Sequence, residues 1–324
     1  EAMARAWVAA HPDRVAAWTT GVDGIVAGTR TFLDRDTASS SRFVAVMQQH
    51  RLPLGNAATR VVSFARSSAA GLFTVLTGTI GGAVWVVHRG LALMPVPLLI
   101  AGLGVAAWYR RRSKRLVAFV VGALLLIVNL GFWAPTIETL ALVLVSAAAA
   151  TVLGVPAGVL MSRHPTLETA LRPVLDLMQT LPTFVYLTPT LVLFGLGVVP
   201  GVVATVIFAT PAPIRMTHLG LRGVPRPLLE AGDAFGATPW QRLWTIELPE
   251  AAPTIYAGIS QGLLLSLSMV VIAALVGAGG LGAPVVRALN TVQVGAGIEA
   301  GLAIVLLAII LDRLARPSDR SLTR

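Results

Sequence analysis

Asp176 and Glu299 are the ionisable side chains set deepest among apolar neighbours, in runs spanning 171–198 and 294–311. A carboxylate at membrane depth is costly, and such groups commonly face a bundle interior or a water-filled path rather than lipid. Around the first, Asp176-Leu177-Met178-Gln179-Thr180-Leu181-Pro182 adds two neutral hydrogen-bonding side chains, Gln179 and Thr180, and a helix breaker, Pro182. Two readings stay open. Either Asp176, Gln179, Thr180, Pro182 and Glu299 line a path for a cation, or the carboxylates sit near the membrane surface, Asp176 being satisfied by backbone or by Arg172.

Reaction chemistry finds little else to work with. With 0 cysteines the chain has no thiol nucleophile, no disulfide and no thiolate metal site. The 5 histidines show no metal-ligand spacing, and Ser260, Ser266 and Ser268 have no base spaced to activate them. No catalytic residue and no metal site is expected, which leaves an integral membrane enzyme as the remotest reading. Gly277-Ala278-Gly279-Gly280-Leu281-Gly282 satisfies G-x-G-x-x-G, with Glu299 downstream. That fingerprint needs a short strand before it, whereas the run before Gly277 is long enough to cross a bilayer. The glycines read as a tight hairpin between two spans. No Walker lysine follows any glycine loop, so the chain is expected to bind no cofactor itself.

The elements that must position these residues are apolar helices. Of 324 residues 55% are hydrophobic and 12% charged, with mean hydropathy +0.78. A soluble domain carries about twice that charged fraction. The net charge of +10 does not point to nucleic acid, because the basic residues flank apolar runs, as topology signals do. Seven spans are expected, over 91–109, 116–133, 137–161, 171–198, 201–216, 255–276 and 294–311, each near the roughly 20 residues a bilayer needs. Residues 67–90 are apolar but interrupted by Gly71, Gly78, Gly81 and Gly82. They read as an amphipathic surface helix, or else as an eighth span. The run Arg110-Arg111-Arg112-Ser113-Lys114-Arg115 is expected on the cytoplasmic side, which places the N-terminus outside; the tail 314–324 is then cytoplasmic. Pro182, Pro189, Pro200, Pro211 and Pro213 break or kink the fourth and fifth spans, which should face protein or a path rather than lipid.

One polar stretch interrupts this pattern. Leu228, Ala231 and Phe235 fall on one helical face, with Glu230 and Asp233 on the other. Pro227 suits a first helical turn and Gly236 a helix stop. Thr238, Pro239 and Gln241 have capping-box spacing, with Trp240, Leu243 and Trp244 as the apolar face of a second short helix that Leu248-Pro249 ends. The result is an elbow of two amphipathic helices between spans, within a loop over 218–253, of the kind that fills a cleft on a partner.

This stretch resembles the EAA loop of ABC-importer permeases. That motif runs Glu-Ala-small, three residues, Gly, nine residues, Ile, one residue, Leu-Pro, and it reads here as Glu230, Ala231, Gly232, Gly236, Ile246, Leu248 and Pro249. The departure is Gly232 in place of a second alanine. The segments around Asp176 and before Gly282 are similar to permeases of the glycine betaine, proline betaine and choline type, a likeness covering about residues 91–315. It implies an all-α type I importer bundle over 91–313 in the inner (plasma) membrane, working as a homodimer. It also implies an ATPase subunit that docks on the elbow and carries ATP and Mg, and a substrate-binding protein or fused binding domain. The opening, with Trp7, His11-Pro12-Asp13 and Trp18, resembles the closing helix of such binding domains, so residues 1–66 read as an extramembrane segment continuing from one. Glu1 in place of a Met fits a processed or longer polypeptide. The rival from another class is a stand-alone, ion-coupled secondary transporter with Asp176 or Glu299 as its ion site.

Overall fold

The computed structural model describes residues 54–315, together with 11–13, 16, 20–24 and 27. The resemblance at Trp7 and Trp18, and the stretch Asp34-Arg35-Asp36 to Ser39-Ser40-Ser41, which reads as a linker, lie outside the described residues. The chain divides into units 1–61 and 62–324, and the second carries everything below. Every regular element among the described residues is helical. After a helix over Leu54–Ser68 come α1 (Ala70–Ala92), α2 (Val96–Arg111), α3 (Lys114–Asn129), α4 (Trp133–Arg163), α5 (Pro165–Thr180), α6 (Thr183–Phe194), α7 (Val198–Ala209) and α8 (Pro211–Arg222). Then come α9 (Arg226–Ala234), α10 (Pro239–Arg242), a π-helical turn (Leu243–Glu247), α11 (Leu248–Ser268), α12 (Val270–Ala274), α13 (Gly282–Asn290) and α14 (Val294–Ala315).

The 31-residue α4 is the axis of the bundle. Its Leu140, Ala141 and Val143 are buried with Val202 of α7, Leu267 of α11 and Leu307 of α14 in the main core. In lipid, backbones pack closely where side chains are small. A Cβ on Gly158 would stand 2.6 Å from the Ile214 carbonyl oxygen, and one on Gly258 2.5 Å from Met216 Cβ, so α4 and α11 both press directly on α8.

The bundle has two ends. At one, Arg163 closes α4, Arg222 closes α8, and the elbow follows. At the other, α4 begins, the α6–α7 turn lies at Gly195 and Gly197, and the glycine hairpin joins α12 to α13; Gly197 N–H donates to Val276 O at 2.8 Å. The helix α1 meets this far end along its length. Phe73 packs edge-on against Phe194, Gly81 faces Val199, and Trp85 and His88 line a cavity with Glu138, Val198 and Gly277.

The all-α membrane bundle stands as expected, with different boundaries. Among the described residues five helical stretches are long and apolar enough to cross a membrane: Ala70–Ala92, Trp133–Arg163, Val198–Arg222, Pro239–Ala274 and Val294–Ala315. The expected first span does not start at Leu91, because α1 runs on through Ala92 and Pro95 then opens a new helix. The hairpin α2–α3 contributes two 16-residue helices, each about 24 Å long at 1.5 Å per residue, short of a full crossing. The expected span 171–198 is two helices, α5 and α6, bent by 94° at Leu181-Pro182. Pro182 there is extended (ψ 132°), as a residue cannot be inside a helix, whereas Pro189 lies within α6. Pro211 and Pro213 sit in the first turn of α8, where a missing N–H costs nothing, so α7 and α8 run on as one rod.

Candidate functional site

The elbow is built from local signals. Pro227 lies in the first turn of α9. At its other end Gly236 takes φ +76°, its N–H donates to Asp233 O at 2.9 Å, and Ala237 N–H donates to Gly232 O at 3.0 Å. Those two bonds form a Schellman stop, which needs a left-handed residue where Gly236 stands. The capping box forms too: Gln241 N–H donates to Thr238 Oγ1 at 3.3 Å and Thr238 N–H to Gln241 Oε1 at 2.9 Å.

The second half departs from expectation in two ways. Leu248-Pro249 does not end the helix. The chain passes through the π-helical turn, with Leu248 N–H donating to Leu243 O, and continues into α11, where Pro249 occupies the first turn. The widened turn places the proline where no intrahelical N–H is required. Leu243 also leaves the expected apolar face. It is buried with Leu221, Ala251 and Ile255, whereas Trp240 and Trp244 point outward, edge to face at 5.6 Å. Phe235 is 93% exposed, Trp240 67%, Trp244 56% and Leu228 42%, an unusual apolar display beside exposed Glu230 and Ala231.

The long-spaced motif residues meet each other. Gly232 is buried, and a Cβ on it would stand 2.5 Å from Ile246 Cδ1. The small third residue and the distant isoleucine are thus two sides of one contact, and Gly232 tightens it. Leu248 packs against the Leu221–Leu243–Ile255 cluster.

An ion network missed by the sequence reading fixes this geometry. Arg242 Nη1 donates to both Asp233 carboxylate oxygens at 2.8 Å, and its Nε donates to Glu247 Oε1 at 3.0 Å. The other oxygen of buried Glu247 accepts from Arg163 Nη2 at 2.6 Å, which ties the elbow to the last turn of α4. Beside it, buried Glu168 of α5 pairs with Arg172 and with Arg222 at 2.6 Å, and lies 3.4 Å from His218 Nε2. Arg172 is therefore engaged by Glu168. Asp176 instead accepts from Arg215 Nη2 of α8 at 2.6 Å, a pair that stays largely exposed.

Of the path candidates, Asp176, Gln179, Thr180 and Pro182 lie together at the end of α5 and its bend. Thr180 Oγ1 donates to Asp176 O at 2.8 Å, and Gln179 is half-buried. Leu177, Leu181, Phe184 and Val185, on either side of that bend, are all exposed. Glu299 is not brought to this group. It is exposed on α14, which packs chiefly against α13, α11, α3 and α2.

At the far end the hairpin is clasped by two residues the sequence reading passed over. Glu138 Oε2 accepts from Gly280 N–H at 2.7 Å, and Thr139 Oγ1 accepts from Leu281 N–H at 2.8 Å. Gly277, Gly279 and Gly280 all have φ between 69° and 86°, and a helix rather than a strand precedes them, so the dinucleotide fingerprint does not apply. The rod α4 is thus clipped at one end to the elbow and at the other to this hairpin.

The family described as "Binding-protein-dependent transport system inner membrane component" matches residues 150–324. The glycine betaine/carnitine transport permease protein GbuB of Listeria monocytogenes is 50% identical over 256 residues, 77% of this chain and 90% of its own. The glycine betaine transport system permease protein OpuAB of Bacillus subtilis is 46% identical over 266 residues, 82% of this chain and 94% of its own. Among solved structures, a chain of the inward-facing MetNI methionine ABC transporter superposes with a TM-score of 0.51 at 27% identity, over 58% of this chain and 94% of that one. Motif, fold and relatives agree: the chain belongs to the family of binding-protein-dependent inner-membrane transport components and is a permease subunit of an ABC importer, not an enzyme.

Proposed function

We propose that this permease imports quaternary-ammonium osmolytes such as glycine betaine, proline betaine, choline or carnitine, as two copies driven by an ATPase subunit seated on the elbow. The observation that carries the mechanical half is the exposed set Leu228, Phe235, Trp240 and Trp244 on an elbow fixed by caps and by Arg242. A rigid apolar knuckle of this kind anchors in a pocket, and aromatic anchors contribute most of the energy of such contacts. The substrate class rests on the relatives, which are named for glycine betaine and carnitine.

Closure of an ATPase pair would push on α9 and α10. The π-helical turn passes the displacement into α11, and the Glu247–Arg163 pair passes it into α4. Both rods then tilt about their close contacts with α8, and access alternates between the two sides. The exposed side chains of Leu177, Leu181, Phe184 and Val185 suit contact with the second copy, and Asp176, Gln179, Thr180 and Pro182 lie beside that seam as a polar lining. We place α1 as a lateral helix over the far end, outside the membrane-crossing set, because Phe73, Gly81, Trp85 and His88 all touch that end. A substrate-binding protein or fused binding domain would deliver the cation there. ATP and Mg belong to the ATPase subunit.

The test is uptake of labelled glycine betaine, choline and carnitine into vesicles holding the permease, its ATPase subunit and its binding protein. ATP-dependent uptake of at least one of them is expected. Uptake that persists without the ATPase and collapses with the proton or sodium gradient would overturn the proposal.

A further inference from the structure

At the elbow end of the bundle, away from the elbow itself, α2, α3 and α14 enclose a groove of about 520 Å³. The helix α3 runs from this groove to Asn129, and α4 then starts at the far end, which fixes the groove on the elbow side. Three arginines line it, Arg111, Arg115 and Arg313, with no acidic residue among the lining groups.

Arg110 is committed elsewhere: its Nε donates to Leu314 O at 3.0 Å and its Nη2 to Ala315 O at 3.3 Å, capping the end of α14. Arg111, Arg115 and Arg313 form no salt bridge among the described residues, and Arg111 Nε is buried without a hydrogen-bond partner there. A buried donor left unmade costs about 1–3 kcal/mol, so a missing acceptor is the economical explanation. The backbone adds to the field. Arg112, at φ 45°, turns the chain sharply so that α3 opens at the groove, and Ser113 both lines it and caps α3 by accepting from Leu116 N–H at 3.4 Å. The first turn of a helix presents unpaired N–H groups and partial positive charge to an anion. Below the arginines the walls are apolar, formed by Leu116, Phe119 and Ile309, the last two partly exposed.

Cationic heads above an apolar wall at the end of membrane helices match one ligand chemistry. We propose that this groove binds an anionic phospholipid, its phosphate held by Arg111, Arg115 and Arg313 and its acyl chain lying along Phe119 and Ile309. A phosphate alone would use the arginines but not the wall. A topology signal would need the charges but neither the groove nor the buried Nε.

The experiment takes the purified full chain in detergent, mixes it with vesicles of equal parts phosphatidylcholine and phosphatidylglycerol, and reads retained lipid by native mass spectrometry. The full chain should retain phosphatidylglycerol in preference, and Arg111→Gln/Arg115→Gln/Arg313→Gln should lose roughly tenfold or more of that retention. Lys114→Gln removes an adjacent charge outside the groove and should retain as much as the unaltered chain. Equal losses for Lys114→Gln and Arg111→Gln would overturn the proposal in favour of diffuse attraction. Inorganic phosphate that binds the lipid-free protein as well as the lipid does, with loss in the same arginine variants, would overturn it in favour of a free-anion site. If the triple variant fails to fold, Arg313→Gln alone carries the comparison, and unchanged retention in a folded Arg313→Gln also overturns it.

Discussion

Replacing Gly232 tests whether elbow geometry, rather than elbow chemistry, is what the motif preserves. An ideal Cβ at Gly232 lies 2.5 Å from Ile246 Cδ1. Carbon atoms in contact prefer about 3.5–4.0 Å, so about 1 Å or more must be made up. Gly232→Ala asks half-buried Ile246 to swing, at the cost of an off-rotamer side chain, about 0.5–1.5 kcal/mol. Gly232→Leu inserts three further carbons between α9 and the π-helical turn, an overpacking worth about 1–3 kcal/mol, and forces the two halves apart. Since 1.4 kcal/mol is tenfold in an equilibrium, Gly232→Leu is expected to weaken retention of the ATPase subunit by about tenfold or more, and Gly232→Ala by less. The assay is co-purification of permease and ATPase subunit, with uptake measured in the same vesicles and thermal melting as the folding control. Ile246→Val removes the offending atom, so Gly232→Ala/Ile246→Val should fall within a few-fold of Ile246→Val alone. Neighbouring residues that share a contact show coupling of about 0.5–3 kcal/mol in such a cycle. If the two substitutions simply add, or if Gly232→Leu retains the ATPase normally, the contact is incidental and the reasoning fails.

Gly236→Ala tests the stop itself: space is open around its Cβ, so the cost is backbone strain at φ +76°, about 1–2 kcal/mol, and Gly236→Asn should cost less by the same melting measurement. Arg242→Ala strands buried Glu247 with Arg163 alone and frees exposed Asp233. Uptake should fall several-fold, with about 1–3 kcal/mol lost in elbow stability, and Asp233→Asn should cost much less because that partner is screened by solvent. Glu138→Gln keeps an acceptor for Gly280 N–H and should transport nearly as the unaltered chain does. Glu138→Ala removes it and should raise ATP hydrolysis per substrate moved; equal behaviour of the two variants would show that the clasp does not matter. Trp240→Ala/Phe235→Ala should abolish ATPase retention while leaving the melting temperature almost unchanged, since both side chains are exposed.

Much of the elbow was legible because its signals are local. The stop at Gly236 and the box at Thr238–Gln241 span three to five residues, and neighbours that close in sequence meet whatever the rest of the chain does. Leu243 departs from the expected apolar face for a tertiary reason: it is buried against Leu221, Ala251 and Ile255, contacts from neighbouring helices that no count along α10 reveals. Arg172, a candidate partner for Asp176 four residues on, is taken by buried Glu168 four residues back, and Asp176 pairs with Arg215 of α8 instead.

What the sequence determined by itself was the class of protein, the membrane setting, the caps and the motif, because composition and short-range spacing carry those. Tertiary structure alone decided that Gly232 and Ile246 are one contact, that Glu247 reaches back 84 positions to Arg163, and that Glu138 and Thr139 hold a hairpin 142 residues away. It also decided that a 25-residue apolar run and a 28-residue one differ in kind: 198–222 packs straight against α4 and α11, and 171–198 folds over at Pro182. The reason is physical. Hydropathy reports how much a segment prefers lipid to water, but which atoms it finally touches depends on where every other helix has already been placed.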